Sequence, residues 1–185
     1  MDIVVTEEEK NTLLQVARQS VTSFLEGRAF EPPPPRGNLQ SKAGVFVTIH
    51  TTRGNLRGCI GQLFGKANLI DTVKEVAISS AFHDPRFTPV RQEEVKDLVF
   101  EISILSPFRL AKPEEVVPGT HGIYLKNGFF SGLLLPQVAT EQEWNRLEFL
   151  DHGCRKAGLP AGCWQNPDTE LYIFTALVFK EQTPR

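Results

Sequence analysis

The run Val45-Phe46-Val47-Thr48-Ile49-His50, the break Arg53-Gly54-Asn55 and the run Leu56-Arg57-Gly58-Cys59-Ile60-Gly61 together read as a β-hairpin. Val45, Val47 and Ile49 alternate with Phe46, Thr48 and His50, the period of two that gives a strand one apolar and one polar face. The break then turns the chain into a second strand, Leu56 to Leu63. Downstream, Asn68 can cap a helix carrying Leu69, Val73, Val76, Ala77 and Ala81, and Asp84-Pro85 stops it because a pre-proline residue avoids helical angles. Leu98 to Leu105 follows as a strand.

The same order returns later. Ile123-Tyr124-Leu125, an Asn127-Gly128 turn and Phe129 to Leu135 predict a second hairpin. Thr140 with Glu143 forms a capping box for a helix through Trp144, Leu147, Leu150, Cys154 and Ala157, ended by Gly158-Leu159-Pro160. Leu171 to Phe179, apolar on both faces, predicts one last, central strand. Upstream, Thr6 and Glu9 form a capping box for a helix with Leu13, Ala17, Val21 and Phe24 on its apolar stripe. A helix followed twice by hairpin–helix–strand units predicts an α+β fold with helices packed on mainly antiparallel sheet. No residues match between the two halves, so any repeat is architectural. A Rossmann fold is excluded, because no Gly-x-Gly-x-x-Gly follows a strand.

The 185 residues suit one domain or two small lobes whose boundary the sequence does not mark. Pro32 to Pro35 with Arg36-Gly37-Asn38 cannot continue a helix, so residues 31–38 read as a stiff, proline-rich surface connector. A formal charge of -2 leaves no global field for a polyanion, which argues against general nucleic-acid binding but leaves room for a small anionic ligand. No apolar stretch is long enough to span a membrane, and the first residues are acidic where a signal peptide is basic. Three cysteines without a C-x-x-C pair argue against a disulfide framework and for a reducing compartment. The expected setting is the cytoplasm.

Candidate chemistry gathers around Cys59. With an unbroken period of two, Arg57, Cys59 and Gly61 share a face, and the cation favours a reactive thiolate. Gly58 and Gly61 mark a bulge or a close backbone approach, here taken as room for a ligand. The alternative is a buried cysteine acting as a small hydrophobe. Asp84 follows a helix C-terminus, where the dipole disfavours an anion, so it needs Arg86 or Arg57 as partner. Arg57 and Arg86 are expected to converge on one anion site beside Cys59, with Asp84 tethering one of them so that the empty site is preorganised. His121, between Thr120 and Gly122, would make a nucleophile–base pair with Cys59 if the fold brings them together. His152 and Cys154 fall on different faces of one helix, no spacing that includes Cys163 matches a zinc module, and no metal is assigned. No motif names a cofactor.

Leu56-Arg57-Gly58-Cys59-Ile60-Gly61 also resembles the hallmark of the AMMECR-type domain family, known as system protein A of the AmmeMemoRadiSam gene neighbourhood. Asp84-Pro85-Arg86-Phe87, Glu101-Ile102-Ser103-Ile104-Leu105-Ser106, His121-Gly122-Ile123, Leu135-Pro136-Gln137-Val138-Ala139 and Lys156-Ala157-Gly158-Leu159-Pro160 are similar to the same family in the same order. The resemblance implies an α+β fold of two lobes and a genetic association with a Memo-like protein and a radical S-adenosylmethionine (SAM) enzyme. It supplies no reaction. Two functions are thus expected from a cleft of Arg57, Gly58, Cys59, Gly61, Asp84, Arg86 and His121. One is an enzyme or accessory subunit in that modification pathway. The other is a noncatalytic binding module for a protein, peptide or modified RNA.

Overall fold

Thr6 caps the first helix as its sequence requires. Its hydroxyl accepts the Glu9 N–H at 3.2 Å, and the Glu9 carboxylate accepts the Thr6 N–H at 2.9 Å. The structure, a computed structural model, describes residues 4–182. The elements in chain order are α1 (Glu7–Leu25), β1 (Val45–Thr51), β2 (Leu56–Gln62), α2 (Leu69–Phe82), β3 (Leu98–Leu105) and β4 (Arg109–Leu110). They continue with β5 (Gly122–Asn127), β6 (Phe130–Leu134), α3 (Pro136–Glu141), α4 (Arg146–Lys156), β7 (Glu170–Phe174) and β8 (Ala176–Lys180). Within the described residues one compact unit comprises 4–105 and 177–182, and the other 106–176.

The first unit is built on a sheet of order β2-β1-β3-β8, with β1 antiparallel to both of its neighbours. Val45, Val47 and Ile49 of β1 and Phe100, Ile102 and Ile104 of β3 are buried in one core with Leu13, Val21, Leu69, Val73 and Ala77 from the two helices. The opposite face of these strands carries Phe46, Thr48 and His50 of β1 and Val99, Glu101 and Ser103 of β3, because alternate side chains point to opposite faces. Between α1 and β1, residues 31–36 form neither helix nor strand, Pro33 and Pro34 are exposed, and a 3-10 turn at Gly37–Gln40 follows.

The second unit holds a sheet of order β4-β7-β5-β6, whose core joins Ile123, Leu125, Leu171 and Ile173 to Phe149 and Leu150 of α4. Its hairpin turns on Gly128, at φ 58°, with Phe129 fully exposed at the tip.

Four expectations are corrected here. The single last strand is two, β7 and β8, which belong to different sheets. The break falls at Thr175, where the Ser106 N–H donates to the Thr175 carbonyl and the Thr175 N–H donates to the Ser106 hydroxyl, both at 2.9 Å. The capping box of α4 is Asn145 with Glu148 in place of Thr140 with Glu143. Glu143 stands at φ 55°, the left-handed region that interrupts a helix, so α3 ends before it and α4 starts afresh. The buried stripe of α4 is accordingly Phe149, Leu150, Gly153 and Cys154, while Leu147 is exposed. Finally, Cys154 and Cys163 form a disulfide, with Cα atoms 5.8 Å apart. An odd cysteine count never excluded one bridge plus one free thiol, and the argument for a reducing compartment loses that support.

Candidate functional site

β2 is the outer strand of its sheet, so one side of its backbone has no ladder partner. At Cys59 that side is covered by side chains from the turn after α2. The Asp84 carboxylate accepts the Cys59 N–H at 2.9 Å, and Arg86 Nη2 donates to the Cys59 carbonyl at 3.3 Å. Asp84 and Arg86 are themselves joined by two bonds, Nε to Oδ1 at 3.0 Å and Nη2 to Oδ2 at 2.8 Å. The Arg86 N–H adds a third at 3.1 Å. An acceptor and a donor fixed side by side thus stand in for a neighbouring strand at one residue. Asp84 answers the unfavourable helix terminus in this way: the Arg86 guanidinium and the Cys59 N–H hold its buried carboxyl far below the usual carboxylate range.

One residue further along, the Ser80 hydroxyl of α2 accepts the Ile60 N–H at 2.9 Å and donates to the Val47 carbonyl at 2.8 Å. Val47 and Ile60 face each other across β1 and β2, so the hydroxyl bridges the two strands. Gly58 makes this approach feasible. A Cβ there would stand 2.1 Å from the Ser80 backbone carbonyl oxygen. Gly61 serves a neighbouring contact, since a Cβ would stand 2.4 Å from the Phe46 ring lying over it. Both glycines are therefore taken up by the protein's own packing, where the sequence had suggested space for a ligand.

Arg57 also departs from expectation. The register of β1 with β2 slips between Ile49, opposite Gly58, and His50, opposite Leu56. Arg57 is the extra residue of this bulge, and a bulge re-aims its side chain. The guanidinium pairs with Glu94, Nε to Oε1 at 2.9 Å and Nη2 to Oε2 at 3.1 Å, and also donates to the Thr88 carbonyl at 2.9 Å. The Arg57 bonds in turn hold the Glu94 carboxyl below its ordinary range. Each arginine is thus matched to its own carboxylate, and the shared pair of free guanidiniums is not formed.

The Cys59 thiol is half-buried, and its hydrogen-bond partner is the Thr48 hydroxyl directly opposite, at 3.3 Å. Burial pushes the thiol pKa up. The Thr48 bond and the Arg86 charge offset this only in part, and Asp84 and Glu101 add to it. The resting group is a neutral thiol, contrary to the expected thiolate. Its expected partner His121 belongs to the other unit, where Nδ1 accepts the Val117 N–H at 3.1 Å. No group of three or more histidines, cysteines or carboxylates among the described residues is arranged to hold a metal ion.

Thr48, Ser80, Glu94 and Glu101 were absent from the sequence reading of the site. Two signals were readable: Thr48 lies on the polar face of the β1 alternation, and Glu101 and Ser103 are polar residues two apart in the otherwise apolar β3. The others are brought in by register and helix packing.

Across the whole fold, the AMMECR1 family model matches residues 14–179. The chain belongs to the AMMECR1 family. Among AMMECR1 relatives, a protein of Nanoarchaeum equitans is 43% identical over 177 residues, covering 91% of this chain and 98% of its own. One from Methanopyrus kandleri is 43% identical over 190 residues, covering 97% of this chain and 92% of its own. The crystal structure of an uncharacterized protein from Pyrococcus horikoshii matches with a TM-score of 0.90 at 40% identity, over 98% of this chain and 95% of that one. The α+β architecture read from the hairpins is thus the architecture of a solved AMMECR1 relative.

Proposed function

We propose that this AMMECR1 protein is a noncatalytic binding module. It acts as an accessory subunit to the Memo-like protein and radical SAM enzyme with which the family resemblance associates it, and not as a thiol enzyme. The observation that carries this reading is the state of Cys59. A nucleophilic cysteine works as its thiolate, usually beside a base or an unpaired cation. Here burial keeps the thiol neutral, its hydrogen bond goes to a threonine hydroxyl, and the neighbouring arginines are paired with carboxylates. Such a group is a shaped, weakly polar part of a surface. The partner is a protein or peptide, since the Glu101 carboxylate on the same sheet face repels the phosphates of an RNA.

Rescue of cells that lack the protein tests the proposal. Cys59→Ser keeps the size and the Thr48 contact but removes thiol chemistry, so the variant should restore the phenotype as well as the parent chain does. A folded Cys59→Ser protein that behaves like the empty vector overturns the binding module.

A further inference from the structure

Pro32 to Pro35 belong to no helix or strand of the fold. Each proline has a fixed φ and keeps the residue before it extended, so a run of them adopts a polyproline II helix, with about three residues per turn. The burial follows that period. Pro32 and Pro35, one turn apart, are half-buried and make the ridge turned toward the protein, whereas Glu31, Pro33, Pro34 and Arg36 are exposed. Two ridges therefore face outward, one of Pro33 and Arg36 and the other of Glu31 and Pro34.

The run is held at both ends. Lys74 Nζ of α2 donates to the Phe30 carbonyl at 2.8 Å, and the Glu9 carboxylate of α1 accepts the Asn38 N–H at 2.9 Å and its Nδ2–H at 3.0 Å. Between these anchors Pro33, Pro34 and Arg36 open on a groove of about 570 Å³, with Thr6, Glu8 and Thr12 on its other wall. The Arg36 guanidinium is free: among the described residues it has no hydrogen bond or ion pair, with Glu8 or Glu31 or any other group. Folding thus explains the two inward prolines and the anchors, but not the outward ridges or the unpaired cation beside them.

We propose that residues 31–36 dock into an aromatic-lined groove of a partner protein, with Pro33 and Pro34 seated between its aromatic side chains and Arg36 paired with a carboxylate on the groove's rim. Polyproline II segments are recognised in such grooves because the helix is preformed and presents its ridges without further ordering. Anchoring at Phe30 and Asn38 removes still more of the entropy that binding would otherwise cost. The unpaired guanidinium selects an acidic rim over a basic one, since a forked donor is matched by a carboxylate. This surface lies beside α1, on the other side of the sheet from the Cys59 thiol, and the inference does not rest on the reading of that thiol.

Titration of the isotope-labelled full chain by NMR tests it. The probes are a WW domain and an SH3 domain, each bearing a carboxylate beside its aromatic groove. At least one should shift the amide signals of Glu31, Arg36, Gly37 and Asn38 saturably and leave those of β5 and β6 in place. Pro33→Ala combined with Pro34→Ala should weaken that binding at least about tenfold, while unchanged α1 and α2 signals verify that the fold is kept, as expected for exposed positions. Arg36→Glu should weaken it about tenfold, the loss expected when one charge-assisted contact is removed. No saturable shift with either domain, or parent-like affinity in the double proline variant or in Arg36→Glu, overturns the proposal.

Discussion

The two units solve the same problem, seating a helix on a hairpin, and close it differently. In the first unit Gly58 of β2 lets the backbone of α2 come within 2.1 Å of where a Cβ would be, and in the second Gly132 of β6 does the same for Ala157 at 2.4 Å. Around Gly58 the contact is finished by polar groups: Ser80 between the strands, and Asp84 and Arg86 on the edge. In the second unit the helix is finished by apolar packing, by the Cys154–Cys163 bridge and by the Asp151 carboxylate, which accepts the Gly162 N–H and the Trp164 Nε1–H at 2.8 Å. That closure joins α4 to the return that follows it. The polar closure also fixes the backbone of Cys59, which is why the site belongs to the first hairpin.

The largest effect that would sharpen this comparison comes from filling the two glycines. Gly58→Ala and Gly132→Ala should each destabilise by about 3 kcal/mol, because backbone atoms cannot move aside cheaply. Only Gly58→Ala should also speed alkylation of Cys59. Chemical denaturation with cysteine labelling checks both, and equal labelling in the two variants would erase the distinction between the closures.

Next in size is the bridge. Cys154→Ser combined with Cys163→Ser should cost about 2–3 kcal/mol, the scale for closing a short loop. Hydrogen exchange should rise at α4 and leave the β2 amides unchanged. Loss of protection at Cys59 would contradict the separate closures.

Asp84→Asn should cost about 2 kcal/mol at neutral pH, chiefly through the buried Cys59 N–H, since Arg86 is more than half exposed and its share is screened. The sign of its pH dependence follows from the lowered carboxyl. A depressed folded-state pKa gives stability that is present above the unfolded value of about 3.9 and is lost as pH falls through the folded value. Parent and variant should therefore differ at pH 7 and converge in acid, as urea melts at a series of pH values would show.

The sequence was most legible where structure is local. Both hairpins, the Thr6 and Asn68 caps and the stop at Asp84-Pro85 follow from spacing and turn chemistry, and Asp84 announced its need for a cation by its place after a helix. What escaped depends on register or on residues far apart in the chain. The bulge that carries Arg57 away to Glu94 breaks an alternation that looks intact on paper. The crossing lies in a run, Leu171 to Phe179, interrupted only by the small polar Thr175, and Cys154 finds Cys163 only because α4 is followed by a tight return. Gly58 and Gly61 were correctly marked as close-approach positions, but a sequence does not say whether the approaching group is a ligand or the protein's own helix.

The central claim is that the Cys59 thiol is neutral at rest. The rate of iodoacetamide alkylation at Cys59, mapped by peptide analysis across pH 6 to 11, measures it directly. Cys59 is the free cysteine of the folded chain, so the signal is unambiguous. The account predicts a midpoint above the ordinary thiol value of about 8.5, moving down when Glu101→Gln removes a nearby negative charge. A midpoint below that value would identify a poised thiolate and contradict the account.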